Sequence, residues 1–413
     1  MKKAIFLVVL ISLLFIIPSA VTAVEIMIDD EVYEFDPPTV TIENRTLVPM
    51  RVLFEALGAI VNWEPDTRTA VGVRGGLVVR FPIDSDKATV KGVEKSMDVP
   101  AQLIGNCTYI PLRFVTEALG DAVSWDKPTQ TVFINRAVER KIPPIVSTEW
   151  LQMKAGLDNL IVLDLRNEND YQEGHIDNAI NIPAESFWTW GDIFMELPEE
   201  DALFDAIGSC GVTGDSLVVL VGTAAEPPLP AAYGTAEADR VADTLLYAGV
   251  KNVAILDGGY PKWIAEKRSI TTAVPKVEST TYKGKTNKEM FVSTEYVHEK
   301  IGKSVIVDCR DAEVYSGEVI EPFADKAGHI PSARSLPAPW IWNDDCTYKP
   351  AEMLKTMASD VIGGDKDQEI IVYCGVGGYA SSWWYVLIQI LGYDNVKFYD
   401  GSAQEWVLYY DME

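Results

Sequence analysis

The chain has 413 residues, with 35 lysines and arginines against 61 aspartates and glutamates, a formal charge of −26. That balance excludes a protein that coats nucleic acid, which needs a basic footprint. A hydrophobic share of 48% excludes global disorder, and at ~150 residues per domain the length gives two or three domains. Five cysteines are too few for a disulfide-dense scaffold, and the odd number points to one thiol kept free for chemistry.

Residues 1–23 read as a secretory signal peptide. Lys2 and Lys3 precede the apolar run Ala4 to Ile17, Pro18 ends it, and Val21-Thr22-Ala23 supplies small residues for cleavage. The run is short for a bilayer span of ~20 residues, and no second run of spanning length follows. The expectation is an extracytoplasmic protein, secreted or surface-associated, with no transmembrane span after signal removal.

Residues 24–137 hold a repeat of period 62. Arg45 to Arg51 (RTLVPMR) recurs as Cys107 to Arg113 (CTYIPLR), Glu55-Ala56-Leu57-Gly58 as Glu117-Ala118-Leu119-Gly120, and Trp63 as Trp125. Each unit predicts short strands, a helix starting at the proline, a glycine in left-handed geometry at its end, and a strand ending at the tryptophan. Both tryptophans are expected in the core.

A larger repeat fills the rest. Val146-Ser147-Thr148-Glu149-Trp150 recurs as Val292-Ser293-Thr294-Glu295-Tyr296. Strands ending in Asp164-Leu165-Arg166 and Asp308-Cys309-Arg310 correspond, as do Gly174-His175-Ile176 and Gly328-His329-Ile330. Asp257-Gly258-Gly259 with Trp263 corresponds to Asp400-Gly401-Ser402 with Trp406. Strands alternate with helical segments such as 237–248 and 381–391, which predicts parallel α/β units. Residues 138–270 and 289–413 form the two copies, and Thr- and Lys-rich 271–288 reads as a linker.

The motifs of the larger repeat resemble those of tandem rhodaneses, a sulfurtransferase family. The first repeat domain resembles the copper amine oxidase N-terminal-like domain. The fold class expected is therefore α/β, with two rhodanese-like parallel-sheet domains and an N-terminal α+β stalk domain. That stalk would meet a cell-wall or surface partner. No copper follows from the name, because no histidine occurs before His175 and Cys107 stands alone. No cofactor and no nucleic-acid partner are expected.

The copies differ where chemistry would occur. In the second, an apolar strand runs into Cys374-Gly375-Val376-Gly377-Gly378-Tyr379-Ala380-Ser381. In the first, the aligned strand ends at Gly222 and enters a loop with Pro227 and Pro228, which lack amide donors, so that copy should be silent. Cys374 is the expected nucleophile and sulfur carrier. Its thiolate is the reactive form, so inward N–H groups and a helix N-terminus should bring its pKa toward neutrality. Gly375, Val376, Gly377, Gly378 and Tyr379 form the substrate cradle. Asp308 and Arg310 are expected first to tie strand ends together by hydrogen bonds; the resemblance adds a second role for Arg310, facing the donor's anionic end. His175 and His329 recur in both copies, which argues for a structural hydrogen bond. A small sulfur donor (thiosulfate, mercaptopyruvate or polysulfide) and a thiophilic acceptor are the expected partners.

The loop departs from the family in having no arginine or lysine; Tyr379 stands where arginine is frequent. That weakens attraction for dianions. A related-fold phosphatase is excluded because its phosphate-clamping arginine would fall at Ala380. The rival reading is a non-enzymatic binding or sulfur-relay module.

Overall fold

The computed structural model describes residues 24–135 and 141–413, apart from 30, 75, 76, 91, 128, 158, 227–229 and 367. The signal-peptide reading of residues 1–23 lies outside the described residues, as do Pro227 and Pro228. Among the described residues no helix is long and apolar enough to cross a membrane.

The 62-residue repeat becomes two matching units. Each is a hairpin (Val40–Ile42 with Arg45–Pro49, then Gln102–Ile104 with Cys107–Pro111), a helix (Met50–Ala56, then Leu112–Ala118) and a strand (Ile60–Glu64, then Ala122–Asp126). Pro49 and Pro111 sit one place before the helix, as its cap. Gly58 and Gly120 adopt the left-handed conformation, with φ of 74° and 84°. The Arg45–Pro49 and Cys107–Pro111 strands pair antiparallel, joining the units in one sheet.

Arg74 locks the units together. Its guanidinium meets Asp121 through two 2.9 Å bonds and donates to the carbonyls of Leu57 and Leu119, where the two helices end. Both side chains of this ion pair are buried. The tryptophans depart from expectation. Trp63 and Trp125 are 43% and 44% exposed, because each lies on an edge strand and faces away from the packed side.

The two larger copies build matching five-stranded parallel sheets. The first uses Ile145–Val146, Leu160–Asp164, Ile180–Asn181, Leu217–Val221 and Asn252–Leu256. The second uses Phe291–Val292, Val305–Asp308, Arg334–Ser335, Ile370–Tyr373 and Val396–Tyr399. In each, the spatial order is first, fifth, fourth, second, third. The fourth strand is central and entirely buried in both, as near-continuous Val, Ile and Leu demand.

The copies are clasped to one another. Helix Ala232–Tyr247 of the first packs on helix Gly378–Tyr385 of the second. The Tyr385 hydroxyl donates to the Pro144 and Val253 carbonyls at 2.7 and 3.0 Å. The Asp257 and Asp400 carboxylates make reciprocal crossings: Asp257 accepts from the Tyr348 amide, and Asp400 accepts from the Leu197 amide, both at 2.9 Å. Residues 271–288 contain no helix or strand, but they strap the first copy. Thr280 donates to Gly208 and Asn287 to Tyr247 through backbone bonds of 2.8 Å, while Tyr282 is buried.

The N-terminal domain lies on this pair. Val71, Val73 and Val78 share a core with Ala351, Leu354 and Ala358 of the second copy. Arg80 pairs with Glu352 at 2.9 Å, and Lys154 of the first copy stands 4.3 Å from the Tyr33 ring centroid. The surface around Arg51, Glu55 and Asn62 thus closes on both copies, leaving a cavity of about 90 Å³. The equivalent surface of the second unit, around Arg113, Glu117 and Trp125, is an open groove of about 520 Å³.

Candidate active site

The buried strand Ile370–Tyr373 delivers Cys374 to a turn, after which helix Gly378–Tyr385 begins. The turn needs φ of 108° at Gly377, where any other residue would be strained. It directs the Gly377 amide at Cys374 Sγ, 3.1 Å away. Behind the turn, Ala403 donates to the Cys374 carbonyl at 2.9 Å and Gln404 to the Gly375 carbonyl at 3.1 Å. Ser402 Oγ accepts from the Cys374 amide at 3.3 Å. The Asp400-Gly401-Ser402 motif therefore holds the loop from below as well as crossing to the other copy.

Cys374 is 2% exposed. Burial pushes its thiol up, the amides of Ala380, Gly377 and Val376 pull it down, and the Glu321 carboxylate adds to the rise. The balance is upward, opposite to the expectation from sequence. Burial is the main reason, and Glu321, fifty-three residues upstream and absent from any motif, adds to it. A Cβ on Gly375 would come within 2.4 Å of Glu321 Oε2, so only glycine lets this acid lie against the loop.

Arg310 makes the strand-tying bonds expected of it. It is 3% exposed. It bonds Asp308 through Nε at 2.9 Å and Nη2 at 2.6 Å, the Gly328 carbonyl at 2.8 Å, and Glu321 through Nη1 at 2.9 Å. These bonds tie strand, turn and Glu321 together, and Glu321 in turn lies against the loop at Gly375. Arg166 repeats the pattern in the first copy with Asp164 and Gly174. The histidines also match. His175 Nδ1 bonds the Tyr171 carbonyl at 2.9 Å and His329 Nδ1 the Tyr315 carbonyl at 3.0 Å. Each ring stacks on the same tyrosine, at 3.8 and 3.9 Å.

The first copy aligns as expected. Gly222 accepts from the Tyr260 amide at 2.9 Å, just as Cys374 accepts from Ala403, and it presents no thiol. That copy nevertheless reaches the second copy's loop. Tyr233, in the first turn of its helix, lies 4.8 Å from the Tyr379 ring and is pushed up to about 12 by burial, with Cys374, Asp311 and Glu321 adding. No sequence motif marks Tyr233, because its role depends on how the two copies dock. Of the remaining sulfurs, Cys210, Cys309 and Cys346 are buried and Cys107 is partly exposed; all five cysteines are free. Trp340 is 47% exposed, whereas Trp342 is packed.

Comparisons with known proteins match both the N-terminal part and the two larger copies. A family profile described as "Copper amine oxidase N-terminal domain" matches residues 27–134. One described as "Rhodanese-like domain" matches twice, over residues 147–266 and 293–408. The chain is 32% identical over 275 residues to the sulfur carrier protein TtuD of Thermus thermophilus, covering 63% of this chain and 93% of that protein. It is 30% identical over 278 residues to a Haloferax volcanii protein named provisionally as a thiosulfate sulfurtransferase, covering 63% of this chain and 92% of that protein. Among solved structures, the anaerobic ergothioneine biosynthesis enzyme of Chlorobium limicola, in complex with trimethyl histidine, superposes with a TM-score of 0.59. It is 22% identical and covers 68% of this chain and 76% of its own, a likeness of fold.

Proposed function

Because the chain belongs to the rhodanese-like family of sulfurtransferases, with both copies matched, we propose that it carries sulfane sulfur on Cys374. The donors are thiosulfate, mercaptopyruvate or polysulfide, and the acceptor is thiophilic. The observation that carries the reading is the Cys374 turn itself: a thiol at the end of a buried strand, facing the Gly377 amide at 3.1 Å, at the start of a helix.

With thiosulfate the step balances as follows. Cys374 loses its proton to solvent and its thiolate attacks the outer sulfur of the donor. A new sulfur–sulfur bond forms on Cys374, and the donor's sulfur–sulfur bond breaks, its electron pair leaving with sulfite. The terminal sulfur of the persulfide is anionic, and the amides of Val376, Gly377 and Ala380 lower its energy as they do for the thiolate. The helix N-terminus adds to this. An acceptor thiolate then takes the outer sulfur and Cys374 is restored.

The test is mass spectrometry of the protein after incubation with each donor. One added sulfur atom, located on Cys374 and removed by cyanide or a thiol, is the expected result. No adduct with any donor would sink the reading. Cys374→Ser should reduce turnover to background, while Gly222→Ala should leave it intact.

Export rests on residues 1–23, whose order of charged, apolar and small residues fits a signal peptide. We propose that the open groove beside Trp125, with Arg45, Asp98, Arg113 and Glu117 on its walls, is where the N-terminal domain meets a surface partner. Sedimentation with purified cell envelopes, lost on Trp125→Ala, tests it.

A further inference from the structure

The mouth over Cys374 is walled by groups that sulfur transfer does not itself require. Glu321 lies against Gly375, its side chain 14% exposed. Tyr379 is 6% exposed and its hydroxyl has no hydrogen-bond partner. Tyr233, beside it, is the exposed member of the pair, contributed by the copy that lacks a thiol.

The charge count is one-sided. The guanidinium at this edge, Arg310, is shared between Asp308 and Glu321, so two carboxylates face one cation. Arg240 lies beneath the turn, wholly buried and paired with Asp400 at 2.7 Å. Tyrosine faces attract a cation within ~6 Å, and the carboxylates attract it from the other side. A buried hydroxyl without a partner further favours a ligand that brings a polar group.

We infer that this mouth selects a small cationic acceptor, an organic ammonium bearing a thiol, and that Tyr233 and Glu321 set that preference. This rests on the reading of Cys374 as sulfur carrier. The acceptor's thiolate attacks the outer sulfur of the persulfide, and the bond between that sulfur and Cys374 Sγ breaks with its electron pair returning to Sγ. The acceptor leaves as its own persulfide, with no net oxidation. Its ammonium group rests against the exposed Tyr233 ring, with the Glu321 carboxylate on the side of the loop. The same wall handicaps thiosulfate, a dianion.

The experiment separates the two ideas. Cys374 in the full chain is modified with ethyl methanethiosulfonates carrying either a trimethylammonium or a sulfonate group. Rates are followed by peptide mass mapping at Cys374, each divided by the reagent's rate with a free thiol. The wild-type ratio should favour the cation by roughly tenfold, falling roughly fivefold in Glu321→Gln and also in Tyr233→Ala. A ratio near one, or unchanged in both variants, overturns the inference, and it does so without any sulfur donor. In parallel, protein loaded with sulfur is discharged by cysteamine, 2-mercaptoethanol or 3-mercaptopropionate at equal thiolate concentration. Discharge fastest by cysteamine supports the inference, and equal rates overturn it. Failure of Cys374 to load at all defeats the carrier reading alone, leaving the reagent ratio to judge the mouth.

Discussion

At the scale of single residues, Glu321 is the least expected participant. It raises Cys374 by repulsion while tethering Arg310. Removing its charge relieves the repulsion and frees Arg310 of one of its two carboxylates, and both effects favour the thiolate. Glu321→Gln should therefore move the pH profile of iodoacetamide alkylation at Cys374 to lower pH. A profile at the wild-type position would show that burial alone governs this thiol. Gly375 depends on the same acid. Gly375→Ala would press a methyl into the Glu321 carboxylate, so Glu321 must rotate away or the turn must shift. Sulfur loading should fall at least tenfold if the turn moves. Cys374 was legible in the sequence because a glycine-rich turn after an apolar strand is a local pattern. Glu321 and Tyr233 were not, since their positions follow from tertiary packing.

At the scale of elements, the two repeats made the strands readable, because matching apolar runs with matching punctuation leave little choice of register. The tryptophans at the ends of two such strands misled for a physical reason. Periodicity tells which residues share a face of a strand, but not whether a neighbouring element covers that face, and Trp63 and Trp125 lie on edge strands that nothing covers. Arg74 belongs to the same class of hidden feature. It caps the ends of both short helices and neutralises Asp121 in the interior. Removing Arg74 takes two hydrogen bonds and a guanidinium from the buried Asp121, and breaking such a buried pair costs about 3–5 kcal/mol. Arg74→Ala should lower the denaturation midpoint of the N-terminal domain accordingly, measured by urea unfolding. A change under about 1 kcal/mol would mean that Asp121 finds solvent or another donor.

At the scale of the whole molecule, acidic groups are trapped where the parts meet. Glu55, between the N-terminal domain and the first copy, is raised by burial to about 7. Asp239, at the seam between copies, is raised by burial to about 7, although Tyr348 donates to it at 2.5 Å. Both bind a proton more tightly folded than unfolded. The stability they favour is thus present below the ordinary carboxylate range and is lost as pH rises toward 7. The protein should be more resistant to urea at pH 5 than at pH 7.5, by on the order of 1–3 kcal/mol per group. Glu55→Gln and Asp239→Asn should each flatten that slope; an unchanged slope in both would place the dependence elsewhere.

The reciprocal clasp between the copies has a consequence for modularity. The half that bears the thiol borrows from its twin the phenol at its mouth, the guanidinium beneath its turn, and the seat for the Tyr385 hydroxyl. Trp383, Trp384 and Tyr385 lie on the helix that meets the other copy and are buried. Duplication has here produced a division of labour that cannot be undone by cutting: an excised last third would keep its nucleophile and lose the wall that chooses what approaches it.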